Sequence, residues 1–271
     1  MKKYIFSIFV AFIFLFNNIN AQSLTDLFNS AYEKYEKGDF KGATLDYNKA
    51  IELEPSNHLC YYERGTFFLD TDKYEEAIKD LSKSIELKPD YAEAYLFRGI
   101  AYDNLDKLKE ALSDYNFAVS LDSTQYVAFY NMGVVNDLLE EYARAIECYT
   151  KSLNDDSLKA FSYYNRGYDY ELVNKPSMAF ADYTKAIDCN SGYSNAYYNR
   201  ANLLVFLGDY EKAINDYSKV IELEPDAHDA FFSRGITKIN AGYKSDGCND
   251  IHKAALLGNS MAKEYVKEDC K

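Results

Sequence analysis

The chain is poor in the residues that most enzymes rely on. It has 3 histidines among 271 residues. His58, His228 and His252 are scattered, with no pair at metal-ligand spacing on one helix. Neither a phosphate-cradling glycine loop nor a nucleophile-elbow pattern occurs. The adjacent carboxylates Asp155 and Asp156 fall in a loop, where solvation is their simplest role. Without a catalytic constellation the chain is expected to be non-enzymatic and to need neither metal nor cofactor. Long apolar runs are scarce as well. The only strong one, residues 4–16, is shorter than the ~20 residues that span a bilayer. Basic residues are the minority, 30 against 43 acidic ones, for a net charge of −13. No basic patch offsets that acidity, which argues against nucleic acid and anionic membrane surfaces as partners.

What is present begins with a leader. Lys2 and Lys3 precede the apolar run, and Asn17, Asn18, Ile19, Asn20 and Ala21 follow it. This order predicts a secretory signal peptide over residues 1–21, cleaved after Ala21. The mature protein is then expected to be exported, periplasmic or secreted from a bacterium, and not inserted in a membrane. Five cysteines remain, an odd number: Cys60, Cys148, Cys189, Cys248 and Cys270. Their spacing is not that of a metal site, so the question is which of them pair.

A small residue recurs every 34 positions: Ala31, Gly65, Gly99, Gly133, Gly167, Ala201 and Gly235. Twelve residues after each comes Ala43, Ala77, Ala111, Ala145, Ala179, Ala213 or Gly247. Counting from Leu24 gives seven repeats, 24–57, 58–91, 92–125, 126–159, 160–193, 194–227 and 228–261. In the sixth, Tyr197, Arg200, Ala201 and Leu204 form one helical stripe. Gly208 and Asp209 break it, and Tyr210, Ala213, Tyr217 and Val220 form a second stripe, ended by Pro225. Each repeat therefore reads as two antiparallel helices, A and B, with the small residues where they approach closely.

This pattern resembles the tetratricopeptide repeat family, on Tyr197, Ala201, Tyr210, Ala213, Tyr217, Pro225 and their 34-residue translations. The resemblance covers 24–261 and implies an all-α fold, a right-handed α-solenoid of seven helix hairpins. It also implies a concave face lined by the A helices that binds protein segments. The expected organisation is a leader over 1–21, a seven-repeat solenoid over 22–261 and the end of a capping helix over 262–271. Asn259 and Ser260 are placed to start that last helix, whose charges suit a solvated terminal face. Two local departures stand out. Pro176 opens the second helix of the fifth repeat, which predicts a tighter turn there, and Ser123, Ser157, Ser191 and Asn259 replace the repeat's closing proline.

Comparison among repeats accounts for a charged pair. Position 7 is Arg64, Arg98, Arg166, Arg200 and Arg234, and the same repeats carry Asp80, Asp114, Asp182, Asp216 and Asp250 at position 23. The fourth repeat loses both, having Met132 and Cys148. A bridge between helices A and B explains the joint loss.

Helical geometry, at 100° per residue, puts positions 2, 6, 9 and 13 of helix A on the side away from its packing residues. In a solenoid lined by A helices that side is the groove. No lysine or arginine occupies these positions in any repeat. Glu63, Asp70 and Glu93 make the first repeats acidic there. Repeats four to six are uncharged, with Asn131, Asn165 and Asn199 at position 6 and Val134, Phe161, Tyr168, Asn202 and Phe206 around them. Amide side chains match the main chain of an extended peptide without reading its sequence. The expected partner is thus a protein or peptide segment, apolar with a basic end. Relatives that capture a terminal carboxylate use basic groove residues, so that mode is excluded. The function expected is a binding scaffold or adaptor outside the cytoplasm. The alternative is a self-assembling component of an envelope complex.

Cys248 and Cys270 are expected to form a disulfide. They lie on either side of Gly258, at distances along an antiparallel hairpin that differ by only ~3 Å of helix rise. Cys60, Cys148 and Cys189 would then be reduced packing residues.

Overall fold

The computed structural model describes residues 19–270, with side chains from Leu24 onward. The expected leader, residues 1–21, lies outside the residues whose side chains are described. Among the described residues there are fifteen α-helices and no strand. None of these helices is long and apolar enough to cross a membrane. The chain divides into two compact units, one up to Ala101 and one from Tyr102.

The N-terminal unit contains α1 (Ile19–Glu36), α2 (Phe40–Leu53), α3 (His58–Asp70), α4 (Tyr74–Leu87) and the first part of α5 (Ala92–Asn104). The C-terminal unit runs through α6 (Leu108–Leu121), α7 (Tyr126–Leu138), α8 (Tyr142–Ser152), α9 (Lys159–Leu172) and α10 (Pro176–Cys189). It continues with α11 (Ser194–Phe206), α12 (Tyr210–Leu223), α13 (His228–Asn240), α14 (Lys244–Leu256) and α15 (Ser260–Glu268). From α1 to α14, odd-numbered helices are the A helices of the sequence repeat and even-numbered ones the B helices. Within the N-terminal unit α1 to α4 pack each on the next, and within the C-terminal unit α6 to α15 do the same.

The small residues sit where the helices cross. Ala43, Ala77, Ala111, Ala145, Ala179 and Ala213 are all fully buried. A Cβ on Gly133 would stand 2.5 Å from the ring of Tyr149, itself wholly buried. Gly235 and Gly247 face each other so closely that a Cβ on either would meet the other's carbonyl oxygen, at 2.8 and 2.6 Å.

All seven turns within hairpins pass through one left-handed residue, at the fifteenth position of the repeat. Glycine fills it as Gly38, Gly208 and Gly242, but Asp72, Asp106, Glu140 and Asn174 hold the same backbone with φ of 55–59°. The fifth repeat follows this geometry too, which corrects the expectation of a tighter turn at Pro176. The proline is the first residue of α10, where no backbone donor is required, and Lys175 N donates to Tyr170 O as Lys73 N does to Phe68 O.

The arginine–aspartate bridges are bidentate. Arg64 holds Asp80, Arg166 holds Asp182, Arg200 holds Asp216 and Arg234 holds Asp250, each through Nε and Nη2 at 2.6–2.9 Å. The third guanidinium nitrogen does something the sequence comparison did not anticipate. Nη1 reaches back to the preceding repeat, to Asn48, Thr150, Thr184 or Ser218, and Arg98 likewise reaches Ser82. One side chain thus closes its own hairpin and fastens it to the previous one. In the first repeat Asp46 takes Ser30, Lys34 and Lys49 instead, and these donors hold its carboxyl down at about 2 against the cost of burial.

At the C-terminus, Asn259 Oδ1 accepts from Ala262 N at 2.7 Å and so starts α15. Cys248 and Cys270 are joined by a disulfide with Cα atoms 5.4 Å apart. It sits in an apolar cluster with Ile251, Ala254 and Ala262. Cys60 and Cys148 are free and buried. Cys189 is free but exposed, so it is not the packing residue expected, because as the last residue of α10 it is open to solvent.

Candidate binding surface

In the C-terminal unit, positions 2, 9 and 13 of the A helices project into solvent although most of them are apolar. Phe161 is 45% exposed, Tyr168 47%, Leu138 61% and Phe206 77%. Exposed side chains of this size on successive helices cost apolar hydration, so an uncovered row of them points to a contact surface. Val134 is half-buried beside them, and Asn202 is exposed while accepting from the Tyr217 hydroxyl at 2.5 Å.

Asn131, Asn165 and Asn199 are half-buried rather than free on the surface. Asn165 Nδ2 donates to the hydroxyl of Tyr130, and Asn199 Nδ2 to that of Tyr164, at 3.2 and 3.1 Å. The next step keeps the register with different chemistry, as Tyr198 meets Ser233 at 3.1 Å. Position 5 of one repeat is thereby tied to position 6 of the next. This orients the amide, and it leaves one N–H and the carbonyl oxygen of Asn165 without a protein partner among the described residues, whereas Asn199 also hydrogen-bonds the Tyr183 hydroxyl. The tyrosines at position 5 are therefore linkers between repeats.

The acidic positions belong to the N-terminal unit. Glu63 and Glu93 are half-buried and Asp70 is exposed. Burial raises the Glu63 carboxyl to about 7. Aromatic rings crowd the same stretch, with Tyr62 edge-on to Tyr91 at 5.0 Å and to Phe97 at 5.7 Å. Among the described residues no group of three or more histidine, cysteine or acidic side chains is placed to hold a metal ion.

Models of the tetratricopeptide repeat match residues 27–57, 92–125, 46–79 and 194–227, and a further model of the same repeat matches 67–106. The chain is a tetratricopeptide repeat protein. One curated relative of this repeat protein is Protein STIP1 homolog of Dictyostelium discoideum, 37% identical over 59 residues. That match spans 22% of this chain and 10% of the relative, so the chain corresponds to a tenth of its length. Among solved structures, the C-terminal part of a TPR repeat-containing protein from Cytophaga hutchinsonii superposes with a TM-score of 0.71. It is 17% identical and covers 88% of this chain and 98% of that one. YrrB, described as a TPR protein with an unusual peptide-binding site, gives 0.62 at 23% identity, over 69% of this chain and 97% of its own. At such identities the likeness is one of fold: an all-α tetratricopeptide solenoid, the architecture of a protein-interaction scaffold.

Proposed function

We propose that this repeat protein is a non-enzymatic scaffold acting outside the cytoplasm, and that its C-terminal unit holds an extended, largely apolar protein segment along α7, α9 and α11. The observation that carries this reading is the row of half-satisfied amides set among exposed apolar side chains. Asn165 keeps a donor and an acceptor free while one N–H fixes its orientation, and Asn199, held by Tyr164 and Tyr183, keeps its carbonyl oxygen. A backbone amide offers the complementary pair. Phe161, Tyr168 and Phe206 would take the segment's apolar side chains, with Val134 and Asn202 between them. Export is part of the proposal on the strength of the leader over residues 1–21. Glu63, Asp70 and Glu93 would favour a partner carrying basic residues.

The test starts from a displayed library of extended peptides selected against the leaderless protein. Each amide–backbone hydrogen bond contributes roughly 0.5–1.5 kcal/mol, so the N131A/N165A/N199A variant should bind a selected peptide about 1.5–4.5 kcal/mol more weakly. That is ~10- to 2,000-fold in Kd. Because the same amides link repeats, Y130F/Y164F is the control. It removes the linking hydroxyls and keeps the asparagines, so it should lower stability and leave affinity within a few-fold. Unchanged affinity in the folded triple variant would place the site elsewhere. Light scattering at high concentration addresses the self-assembling alternative, for which a concentration-dependent rise in mass would be the sign.

A further inference from the structure

Position 10 of the A helix is buried from the second repeat onward, where Phe67, Ala101, Val135, Leu203 and Thr237 fill it, while in the first repeat it is the exposed Glu33. In the fifth repeat it is Asp169. Its side chain is 0% exposed, and neither carboxyl oxygen has a hydrogen-bond partner. Across the junction, on α7, Asp137 Oδ1 is buried and partnerless in the same way. Asp137 Oδ2 accepts from the Tyr149 hydroxyl of α8 at 2.5 Å. The other titratable groups facing the two carboxyls are Tyr130 on α7 and Tyr142 and Cys148 on α8. None of them is a cation, and among the described residues neither aspartate takes part in an ion pair with lysine, arginine or histidine.

The Asp137 and Asp169 side chains lie within hydrogen-bonding reach of each other, and two ionised carboxylates so placed, largely buried and without a counter-charge, would be strongly unfavourable. Three buried oxygens with no donor would add a further cost. A single proton removes the repulsion and satisfies two of the three oxygens, since a carboxylic acid donates where a carboxylate only accepts. We propose that Asp137 and Asp169 share one proton, forming an acid–carboxylate link between the fourth and fifth repeats that loosens when the proton leaves. Asp169 carries the proton and donates to Asp137, whose other oxygen takes the tyrosine hydroxyl. Burial of Asp169, the hydrogen bond and the negative charge of Asp137 all raise its titration.

The direction of the pH effect follows. An unfolded aspartate releases its proton near 3.9, whereas the folded pair retains one well above that value. The stability it confers is complete below the unfolded value and is lost as pH rises through the folded one. Alkali, not acid, opens this joint. The joint also flanks the exposed row, since Leu138 follows Asp137 on α7 and Tyr168 precedes Asp169 on α9. Parting these helices changes the spacing of two side chains that the surface presents.

The experiment uses the leaderless full chain. Infrared difference spectra in D2O between wild type and Asp169→Asn should show, at neutral pH, a protonated carboxyl band that only the wild type possesses. Hydrogen exchange, corrected for its intrinsic pH dependence, should show protection of α7 and α9 falling by up to tenfold per pH unit from about pH 5 upward. In Asp169→Asn, which keeps a donor in place without a titrating proton, that dependence should flatten. If the variant fails to fold, the pH titration of the carboxyl band in a Glu63→Gln background decides, since Glu63 holds a proton of its own up to about pH 7. Absence of that band at neutral pH, or an equal pH dependence of α7 and α9 in wild type and variant, overturns the proposal.

Discussion

Arg166 illustrates how much one side chain does in this repeat. It spends two nitrogens on Asp182 and one on Thr150 of the preceding repeat. Truncation to alanine leaves Asp182, 3% exposed, as a buried charge without a partner, and should cost about 3–5 kcal/mol in urea unfolding. Replacing both partners should cost much less, because the fourth repeat already manages with Met132 and Cys148. Arg166→Met with Asp182→Ala should recover more than half of the loss, and a double variant as unstable as the single one would refute the explanation. The within-repeat bridge was legible in the sequence because seven repeats act as internal controls for one another. The backward reach was not, since its acceptors are asparagine, serine or threonine and share only an oxygen of suitable position. Asp169 was legible in principle as an acidic residue at an otherwise mostly apolar position. Glu63 supplies a second residue-scale expectation. Its carboxyl, raised by burial to about 7, holds a proton that the unfolded chain releases near 4.3. The stability it contributes is complete below that lower value and fades as pH rises through 7. Thermal unfolding followed by circular dichroism should therefore give a higher midpoint at pH 5 than at pH 8, and Glu63→Gln should reduce the difference.

At the scale of elements, the hairpin turn is where sequence and backbone disagree most. Every turn needs a left-handed residue, yet Glu140 occupies one with φ of 59°. A long side chain in that conformation costs roughly 1–2 kcal/mol relative to the right-handed region, and glycine does not incur it. Glu140→Gly should raise stability by about 0.5–1 kcal/mol once the greater freedom of glycine in the unfolded chain is subtracted. The same change at Asn174 should gain less, because asparagine tolerates the conformation. Turn glycines in three repeats were readable, but the four occupied by other residues became apparent only from the backbone. At α15, the disulfide closes a ring with a sequence separation of 22 residues. Such a closure stabilises by about 3 kcal/mol on the chain-entropy estimate. Cys248→Ser should thus speed amide exchange in α15 sharply, while α9 to α12 keep their protection. Exchange that rises evenly along the chain would contradict this locality.

For the whole molecule, the alternation of helix and turn was fully legible, because a period of 34 residues repeated seven times leaves little room for another reading. The binding surface was legible only as a set of positions. Sequence placed the asparagines on the solvent side of the A helices, but one amide N–H of Asn165 and one of Asn199 go to tyrosines 35 residues away. Helical periodicity assigns a direction to a side chain and says nothing about which neighbour meets it there. The terminal ring has one more consequence, a mechanical one. Held between residues 24 and 271 and drawn out, the oxidised chain keeps the residues between Cys248 and Cys270 out of the stretched length, a separation of 22. At 3.3–3.6 Å per extended residue this withholds ~75 Å of contour. In a force–extension trace, adding a dithiol reductant should lengthen the fully extended molecule by that amount in one step, after every helix has already given way.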